Sequence, residues 1–472
     1  MSTRIRFPSN AAGVGLRPTE LMSTRDRKST QRERLLVGMV EVANRRGYTA
    51  ATVSAVIAEA GVSRPTFYDY FEDRDDCFRR AVEDIQDELV ADVAAALKVR
   101  PGSEAASGAV EALISYAAAK PARARFLMAE SIAAGVDALD ARDLGIAQLA
   151  QMIRDAEADA PEGASLPDVD ARVLVGSIYR MIATRLRRGE MTITKLLNDL
   201  IEWLCSFARP SSARRWQTLS PVPVGARSPH VPELPLQRMP GVLPPGRPRL
   251  SEQEIGENHR LRILYATARM AELKGYSATT VAEITRLASV DGRVFYRHFA
   301  DKQEAFAAVH EVGFQQVMDV TAKAFFAAEG WPQRSWEAAR ALTGLLQANP
   351  LVAHVGFVEA YAGGQATVQR IEDSHTAFMF FLQEGLVHTK PGETPSRVAM
   401  EAIIASVFEV IYLQTRGDGE LQIAGALPHV AHLWLTPFLG VDGADDFIDR
   451  QLALLLHRSG GRHADRGEPG GG

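Results

Sequence analysis

One stretch of this chain occurs twice. Residues 47–71 (GYTAATVSAVIAEAGVSRPTFYDYF) return without a gap as residues 275–299 (GYSATTVAEITRLASVDGRVFYRHF). Extended to 78 and 306, the match contains 32 pairs, of which 12 are identical, all 228 residues apart. Self-similarity at so long a period is typical of two copies of a whole domain, not of a solenoid of short repeats. The sequence therefore predicts two copies of one fold.

The length and composition of the chain are typical of an intracellular protein with two or more hydrophobic cores. A chain of 472 residues is long enough to divide into two or more domains. The N-terminus lacks the apolar segment of a signal peptide, and we find no uncharged apolar run of about 18 residues that would predict a membrane span. The two cysteines, Cys77 and Cys205, are far apart and lack metal-ligand spacing, so both are expected to be reduced. These features predict a cytoplasmic protein without membrane association.

Positive charge is concentrated around the repeated segments. The net charge is −5, yet residues 1–68 carry 11 basic against 5 acidic side chains, and residues 247–302 carry 10 against 7. Residues 83–207 carry 13 basic against 20 acidic groups, and residues 313–458 carry 9 against 16. This distribution is expected if the repeated segments meet phosphate, although surface charge also varies between domains by chance.

The repeated segment has the pattern of a helix-turn-helix. Such a motif needs a close turn between two short helices, which Ala60 and Gly61 supply, and a capped second helix, for which Ser63 is suited. The second helix must expose side chains that can grip phosphate or base edges. The exposed candidates are Arg64, Thr66, Tyr68 and Tyr70, with Arg74 just beyond the helix.

These residues resemble the DNA-binding signature of the TetR family of transcriptional regulators. The matching pattern is T-V-x-x-[IV]-x-x-x-A-G-V-S-x-x-T-[FL]-Y-x-[HY]-F-x-[DN]-[RK]. The resemblance implies a three-helix headpiece followed by a helical bundle for dimerisation and ligand binding, and a repressor that a small effector releases. It also implies that the DNA-contacting positions are Ser63, Arg64, Thr66, Tyr68 and Tyr70, with Arg74 in place of a frequent Lys.

The second copy departs from this pattern. Ser289 replaces the turn glycine, Asp291 the capping serine and Val294 the threonine, so two hydroxyl groups suited to phosphate are missing. Other positions retain DNA-binding character, including a basic arm that could enter the minor groove. The candidates here are Arg247, Arg249, Arg293, Tyr296, Arg297, His298 and Lys302. An alternative is that this headpiece is vestigial and that the chain is an interaction protein.

We predict an all-α fold of two tandem modules. The predicted segments are a disordered tail (1–28), headpiece 1 (29–76), bundle 1 (77–208), a Pro-rich unpacked linker (209–246), headpiece 2 (247–304), bundle 2 (305–458) and a disordered tail (459–472). Capping boxes are predicted at Thr30 and Thr280. Each bundle should end in two strong helices, at 171–187 and 194–207 in the first half and at 396–415 and 426–439 in the second.

The remaining polar candidates have mostly structural interpretations. Glu130 and Glu359 stand at matched positions in apolar helices; we expect buried carboxylates paired with a neighbour such as Arg125, or alternatively contacts to an effector. His429 and His432 lack a third metal ligand, so no metal site is predicted. Since no nucleophile–base pair or phosphate loop stands out, neither an enzyme nor a cofactor is expected.

The two halves are expected to pair within one chain. TetR-like proteins dimerise through their last two helices, and here both partners are already joined. Arg180 aligns with Glu409, a charge difference that would favour pairing of unlike halves. The expected partners are double-stranded DNA and a small, largely hydrophobic effector, with an intramolecular pseudo-dimer and a homodimer as the possible assemblies. The two headpieces should then read unlike half-sites.

Overall fold

The computed structural model describes residues 24–221, 234–243, 250–389, 393–417 and 421–464, without the side chains of 24–29, 365–366 and 456–464. This part of the chain contains 18 α-helices and one pair of three-residue strands, so the all-α prediction is confirmed. Nine helices belong to each half, and they follow one another in the same order.

The first half contains helices α1 to α9. Their bounds are Thr24–Arg46 (α1), Val53–Ala60 (α2), Arg64–Tyr68 (α3), Arg74–Val99 (α4), Ala105–Ala119 (α5), Pro121–Arg125 (α6), Val136–Ala158 (α7), Ala171–Arg187 (α8) and Leu197–Cys205 (α9). A π-helical turn, Phe126–Glu130, continues α6. The predicted bounds of α8 are confirmed.

The second half repeats this order in helices α10 to α18. Their bounds are Glu252–Lys274 (α10), Val281–Ala288 (α11), Gly292–His298 (α12), Lys302–Ala327 (α13), Trp331–Ala348 (α14), Pro350–His354 (α15), Gln365–Gln383 (α16), Arg397–Arg416 (α17) and Leu427–Ala464 (α18). A matching π-helical turn, Val355–Glu359, continues α15.

Helix caps explain where the headpiece helices begin. Thr52 caps α2 by accepting the Ala55 N–H at 3.2 Å, and the predicted capping box of Thr280 with Glu283 is present at the start of α11. The capping box predicted at Thr30 is wrong, because α1 already begins at Thr24. A capping box that the sequence reading missed starts α10, where Ser251 pairs with Glu254.

The turn between the two helices of the motif differs between the copies. Gly61 ends α2 in the left-handed conformation, with φ 61°, where glycine has no steric penalty. Ser289 occupies the same position after α11 with φ 50°, and it is the one non-glycine residue with positive φ in the described part of the chain. The second copy therefore keeps the turn geometry and accepts a strained backbone.

The two halves pack against each other through α8 and α17. Ser177 and Ser406, which stand 229 residues apart at equivalent positions, form a hydrogen bond of 3.0 Å between their hydroxyl groups. Arg180 donates to the Glu409 carboxylate at 2.9 Å and to the Tyr361 hydroxyl at 3.1 Å. The side chains of this ion pair are 5% and 1% exposed. The aligned charges predicted to meet therefore do so in the core.

Residues 208–219, which we call the strap, join the halves a second time. Ala208–Pro210 pairs antiparallel with Ser165–Pro167 of the first half. Trp216 lies buried, and its indole N–H donates to Asp445 of α18 at 2.8 Å, while its backbone N–H donates to Asp168 at 2.7 Å. The prediction of an unpacked linker from 209 is thus wrong for this part.

Arginine–aspartate pairs hold the strap on both sides. Arg209 donates to Asp168 at 3.1 Å and to Asp445 at 2.7 Å, so one guanidinium bridges the two halves. Arg215 adds a pair with Asp449 at 2.8 Å. The proline content predicts an unpacked linker. These polar contacts and the burial of Trp216 instead pack its first part against both halves.

The last helix is longer than predicted. Helix α18 was expected to end at 439, yet it continues to Ala464 across a kink at Gly440, where φ is 73°. The disordered tail predicted from 459 therefore begins inside a helix, and residues 465–472 lie outside the described part of the chain. Helix α17 is apolar and long enough to cross a membrane, but 67% of its most apolar window is buried in the protein, as in a core helix.

Replacement of Ser289 by glycine should stabilise the second headpiece. Relief of the left-handed serine should raise the free energy of unfolding by about 0.5–1 kcal/mol, which a urea midpoint would measure. The matched control is Gly61→Ser, since an added Cβ at Gly61 carries the left-handed strain and lies 2.7 Å from the Arg34 guanidinium. It should destabilise by a similar amount; equal shifts of the same sign would contradict the strain argument.

Candidate nucleic-acid interface and effector cavity

The first headpiece presents α3 as its exposed element. Ser63 caps α3 by accepting the Thr66 N–H at 3.3 Å, and its hydroxyl lies 2.8 Å from the Thr66 hydroxyl. Phe67 is fully buried and anchors the helix, whereas Arg64 is exposed and the ring of Tyr68 is 50% exposed. The polar face of α3 is therefore open, as a helix that enters the major groove requires.

Two of the predicted DNA contacts are partly engaged inside the headpiece. Tyr70 is half-buried, with its hydroxyl 3.5 Å from the Gln31 amide oxygen. Arg74 stacks over the Tyr48 ring at 4.3 Å and donates to the Tyr48 hydroxyl at 2.7 Å and to Asp75 at 2.6 Å. Arg74 therefore ties the turn before α2 to the start of α4, and it must give up some of these bonds to grip phosphate.

The second headpiece exposes a similar but more basic helix. Asp291 caps α12 by accepting the Arg293 N–H at 2.8 Å, and Phe295 anchors the helix in the core. Arg293 and Arg297 are exposed, and Tyr296 is 61% exposed. The capping carboxylate keeps the helix in place but puts a negative charge at the end that faces DNA in this motif.

Lys302 and His298 lie further from the exposed face. The Lys302 ammonium donates to three carbonyl oxygens, those of Tyr276, Ser277 and Thr279, at 3.1, 3.1 and 2.8 Å. Burial lowers the pKa of this amine, and burial also lowers the pKa of the half-buried His298. Lys302 therefore closes the turn before α11, a role that its sequence position alone did not reveal. Arg247 and Arg249 lie outside the described residues.

An apolar cavity lies inside the second bundle. It has a volume of about 50 Å³ and is lined from α10, α13, α15, the π turn, α16 and α17. A neighbouring cavity of about 30 Å³ shares Phe357, Phe378 and Phe408 with it. Both are smaller than the roughly 150 Å³ of an engineered cavity that binds benzene. These three rings separate the two spaces, so their rotation would merge them into one larger site.

Larger side chains fill the matching space in the first bundle. Gly313, Val355 and Gly356 line the cavity in the second half. The residues aligned with them are Ile85, Phe126 and Leu127, which are 1%, 0% and 0% exposed. The side chains at these three aligned positions are thus larger in the first half than in the second, which leaves less room for a ligand there.

One polar group faces the cavity without a hydrogen-bond partner. His310 lines the cavity, is 7% exposed, and its Nδ1 atom has no partner. Burial, with a smaller effect of Arg370, lowers the pKa of His310 to about 4, so the ring is neutral near pH 7. The unpaired Nδ1 of this neutral ring offers one hydrogen bond, as donor or acceptor according to the tautomer, and the remaining surface is almost entirely apolar.

Neither predicted glutamate lines the cavity. Glu130 accepts a hydrogen bond from the Arg125 Nε at 3.4 Å, which is the pairing with a neighbouring arginine that the sequence predicts. Burial raises the pKa of the Glu130 carboxyl group. Glu359 accepts the Tyr276 backbone N–H of the second headpiece at 2.7 Å. The positions of these two carboxylates therefore give no support to the alternative prediction that they contact an effector.

The paired histidines belong to the strap contact. His432 packs against the Trp216 ring at 5.2 Å, with its Nε2 atom 2.9 Å from the Asp168 carbonyl oxygen. His429 lies 5.1 Å from the same ring. Among the aromatic residues of the bundles, Trp203, Phe378 and Phe381 are buried, Trp434 is partly buried and Phe380 is 61% exposed.

The exposed helices lie in segments that match a known family. Residues 35–81 and 263–309 each match the model described as bacterial regulatory proteins, tetR family. The chain therefore contains two tetR-type DNA-binding domains in tandem. Each match runs from within the first helix of a headpiece into the long helix that follows the motif. The protein is accordingly a DNA-binding transcriptional regulator with two helix-turn-helix headpieces.

Two solved regulators are similar to part of this chain. The fatty acid degradation regulator FadR from Bacillus halodurans is 17% identical over 38% of this chain and 94% of its own, with a TM-score of 0.35. The transcriptional regulator FadR from Bacillus subtilis, in complex with stearoyl-CoA, is 19% identical over 37% of this chain and 97% of its own, with a TM-score of 0.32. No curated protein matches the chain.

Truncation of the exposed arginines should weaken DNA binding of this tetR-family protein. Arg64→Ala should cost about 1–3 kcal/mol of binding free energy and relax specificity at one position if the side chain reads a base. Arg293→Ala makes the same test for the second headpiece. Mobility shifts on DNA selected from random sequence would measure both. Lys323→Ala, in an exposed ion pair on α13, is the control; equal losses in all three would indicate a non-specific charge effect.

Proposed function

We propose that this regulator acts as its own dimer, reads two unlike half-sites, and is released from DNA by a neutral apolar effector bound in the second bundle. The observation that carries the proposal is the contrast between the halves: they pair through buried opposite charges, and the cavity of the second half is lined by smaller residues than those at the aligned positions of the first. Each part rests on residues at aligned positions, so the halves serve as controls for each other.

Charge complementarity favours the pairing of unlike halves. In a pair of two first halves, Arg180 would face a second Arg180 in the core. In a pair of two second halves, Glu409 would face Glu409. A buried charge without an opposite partner is strongly unfavourable. Arg185, which pairs with Glu401 across the interface, supports the same conclusion, because the first-half residue aligned with Glu401 is Arg172.

Steric fit favours the same pairing. The Glu409 carboxylate lies directly over Gly176, where an added Cβ would approach its Oε1 atom to 2.2 Å. The residue aligned with Gly176 in the second half is Ala405. A pair of two second halves would therefore place a methyl group where Glu409 needs space, in addition to the repulsion between carboxylates.

Unlike headpieces imply an asymmetric operator. The exposed helix carries Arg64-Pro65-Thr66 in the first headpiece and Gly292-Arg293-Val294 in the second. A homodimer with two-fold symmetry reads a palindrome, since its half-sites mirror the protein symmetry. Two different reading helices in one pseudo-dimer should instead select two different half-sites about one helical turn apart.

The effector should be neutral and largely apolar, with one polar group. The cavity lining supplies aliphatic and aromatic contacts, and the neutral His310 supplies one hydrogen bond. No charged side chain contributes to the lining, so a charged ligand group would lose its hydration without compensation. To release DNA, the ligand must bind better to the conformation that does not bind DNA.

Removal of Glu409 should destabilise the pairing. Glu409→Ala leaves Arg180 buried without its carboxylate, which should lower the free energy of unfolding by about 3–5 kcal/mol. Asp319→Ala breaks the exposed pair with Lys323 and should cost no more than about 1 kcal/mol. Urea unfolding would measure both, and light scattering of the wild-type protein should show one chain per particle. A stable two-chain particle on a palindromic operator would exclude the pseudo-dimer.

Closing the cavity should abolish the effector response. An added Cβ at Gly356 meets no atom within 4 Å, so Gly356→Leu reproduces the aligned Leu127 without a clash at Cβ. It should prevent binding of the small neutral probe benzene, measured by saturation-transfer NMR, while affinity for DNA stays unchanged. Gly443→Ala on the exposed side of α18 is the control. Undiminished probe binding by Gly356→Leu would exclude this cavity as the site.

A further inference from the structure

We infer that Glu359 positions the second headpiece through a direct link to the cavity wall, so that an effector acts on the second headpiece and leaves the first in place. This inference rests on the proposed effector site and adds the path by which occupancy reaches DNA. It concerns a side chain that touches neither the cavity nor the DNA-binding face.

The link begins in the π turn Val355–Glu359. Its first three residues, Val355, Gly356 and Phe357, line the cavity. Its last residue, Glu359, is 12% exposed and accepts the backbone N–H of Tyr276 at 2.7 Å. A single five-residue turn therefore touches the ligand space at one end and the headpiece backbone at the other. Isolated π turns within helices occur often at functional sites.

The point of attachment lies where α10 ends and the motif begins. Gly275 ends α10 with φ 81°, and an added Cβ there would lie 3.9 Å from the Glu359 Oε1 atom. Tyr276 is buried and packs on Phe306 with ring centroids 4.5 Å apart. The carboxylate thus holds the segment that sets the direction of α11 and α12 relative to the bundle.

The first half lacks this arrangement at the aligned positions. Glu130 pairs with Arg125 of the helix that precedes its own π turn. An added Cβ at Gly47, the counterpart of Gly275, meets no atom within 4 Å. The first headpiece is instead fastened by Asn44, which donates to the Ala122 carbonyl oxygen of α6 at 2.8 Å. Its π turn is packed, with Phe126, Leu127 and Met128 fully buried.

Occupancy of the cavity then has an unequal effect on the two headpieces. A ligand that separates Phe357 from its neighbours displaces the π turn, and Glu359 moves with it. The second headpiece loses the hydrogen bond from Tyr276 to Glu359, one of the contacts that orient it together with the Lys302 bonds to the same segment, whereas the contacts of the first headpiece are unaffected. The effector would convert binding through two headpieces into binding through one, which lowers affinity without removing the ability to find the operator.

Alanine and glutamine at position 359 test the link without any ligand. Glu359→Ala removes the acceptor, so the second headpiece should be oriented for DNA in a smaller fraction of molecules, which lowers protection of its half-site by about fivefold or more. Glu359→Gln keeps an acceptor oxygen and should restore most of that protection. Glu130→Ala is the matched control and should leave both half-sites unchanged. Quantitative footprinting on the selected operator measures each half-site, with Tyr68→Ala and Tyr296→Ala assigning them to their headpieces.

The probe benzene extends the test to the effector response. In the wild type it should reduce protection of the second half-site alone, and in Glu359→Ala it should bind as in the wild type and change protection no further. Equal loss at both half-sites, or full protection by Glu359→Ala, would overturn the inference. Absence of probe binding would instead count against the effector site, while the ligand-free comparison of the three variants still decides the role of Glu359.

Discussion

The buried contact between Arg180 and Glu409 is the constraint on which the organisation of this chain depends. A buried ion pair adds little net stability compared with well-packed apolar side chains, but loss of one partner costs several kcal/mol. Its effect is therefore on the choice of partner. Gly176 leaves the space that Glu409 occupies, so charge and shape both favour one first half with one second half. Once the halves cannot exchange roles, each is free to acquire its own function.

The strap reinforces this choice by a different route. Arg209 bridges Asp168 of the first half and Asp445 of the second, and Trp216 is buried between them. A covalent tether alone gives an effective concentration near the millimolar range. The packed strap adds direct contacts to that tether and buries an aromatic ring between the halves. The pairing interface of α8 and α17 is thus held together by contacts that two separate chains would have to form without a tether.

Most of the fold, but only part of the candidate DNA-binding site, can be predicted from the sequence. The repeat fixed the two headpieces, helical periodicity located α8 at Ala171–Arg187, and alignment of the copies brought out Arg180 with Glu409. The strap was missed because the burial of Trp216 depends on Asp168 and Asp445, which are 48 and 229 residues away. Lys302 was read as a phosphate contact for a similar reason. Its type and position fit DNA, and only the folded chain shows three carbonyl oxygens around its ammonium group.

Departures from the headpiece and bundle pattern fall mainly in the second half. Ser289 replaces a glycine at a left-handed turn, Gly313 and Gly356 replace large apolar residues, and the glutamate of the π turn reaches into the headpiece. The serine strains its turn, the two glycines lower local packing, and the glutamate links the headpiece to the wall of the cavity. The first half keeps the glycine turn, a filled bundle and a headpiece fastened by Asn44. Because a homodimer must carry both properties in one sequence, a tandem chain allows a division that a homodimer cannot make: in the function proposed above, one half anchors on DNA and the other half responds to the effector.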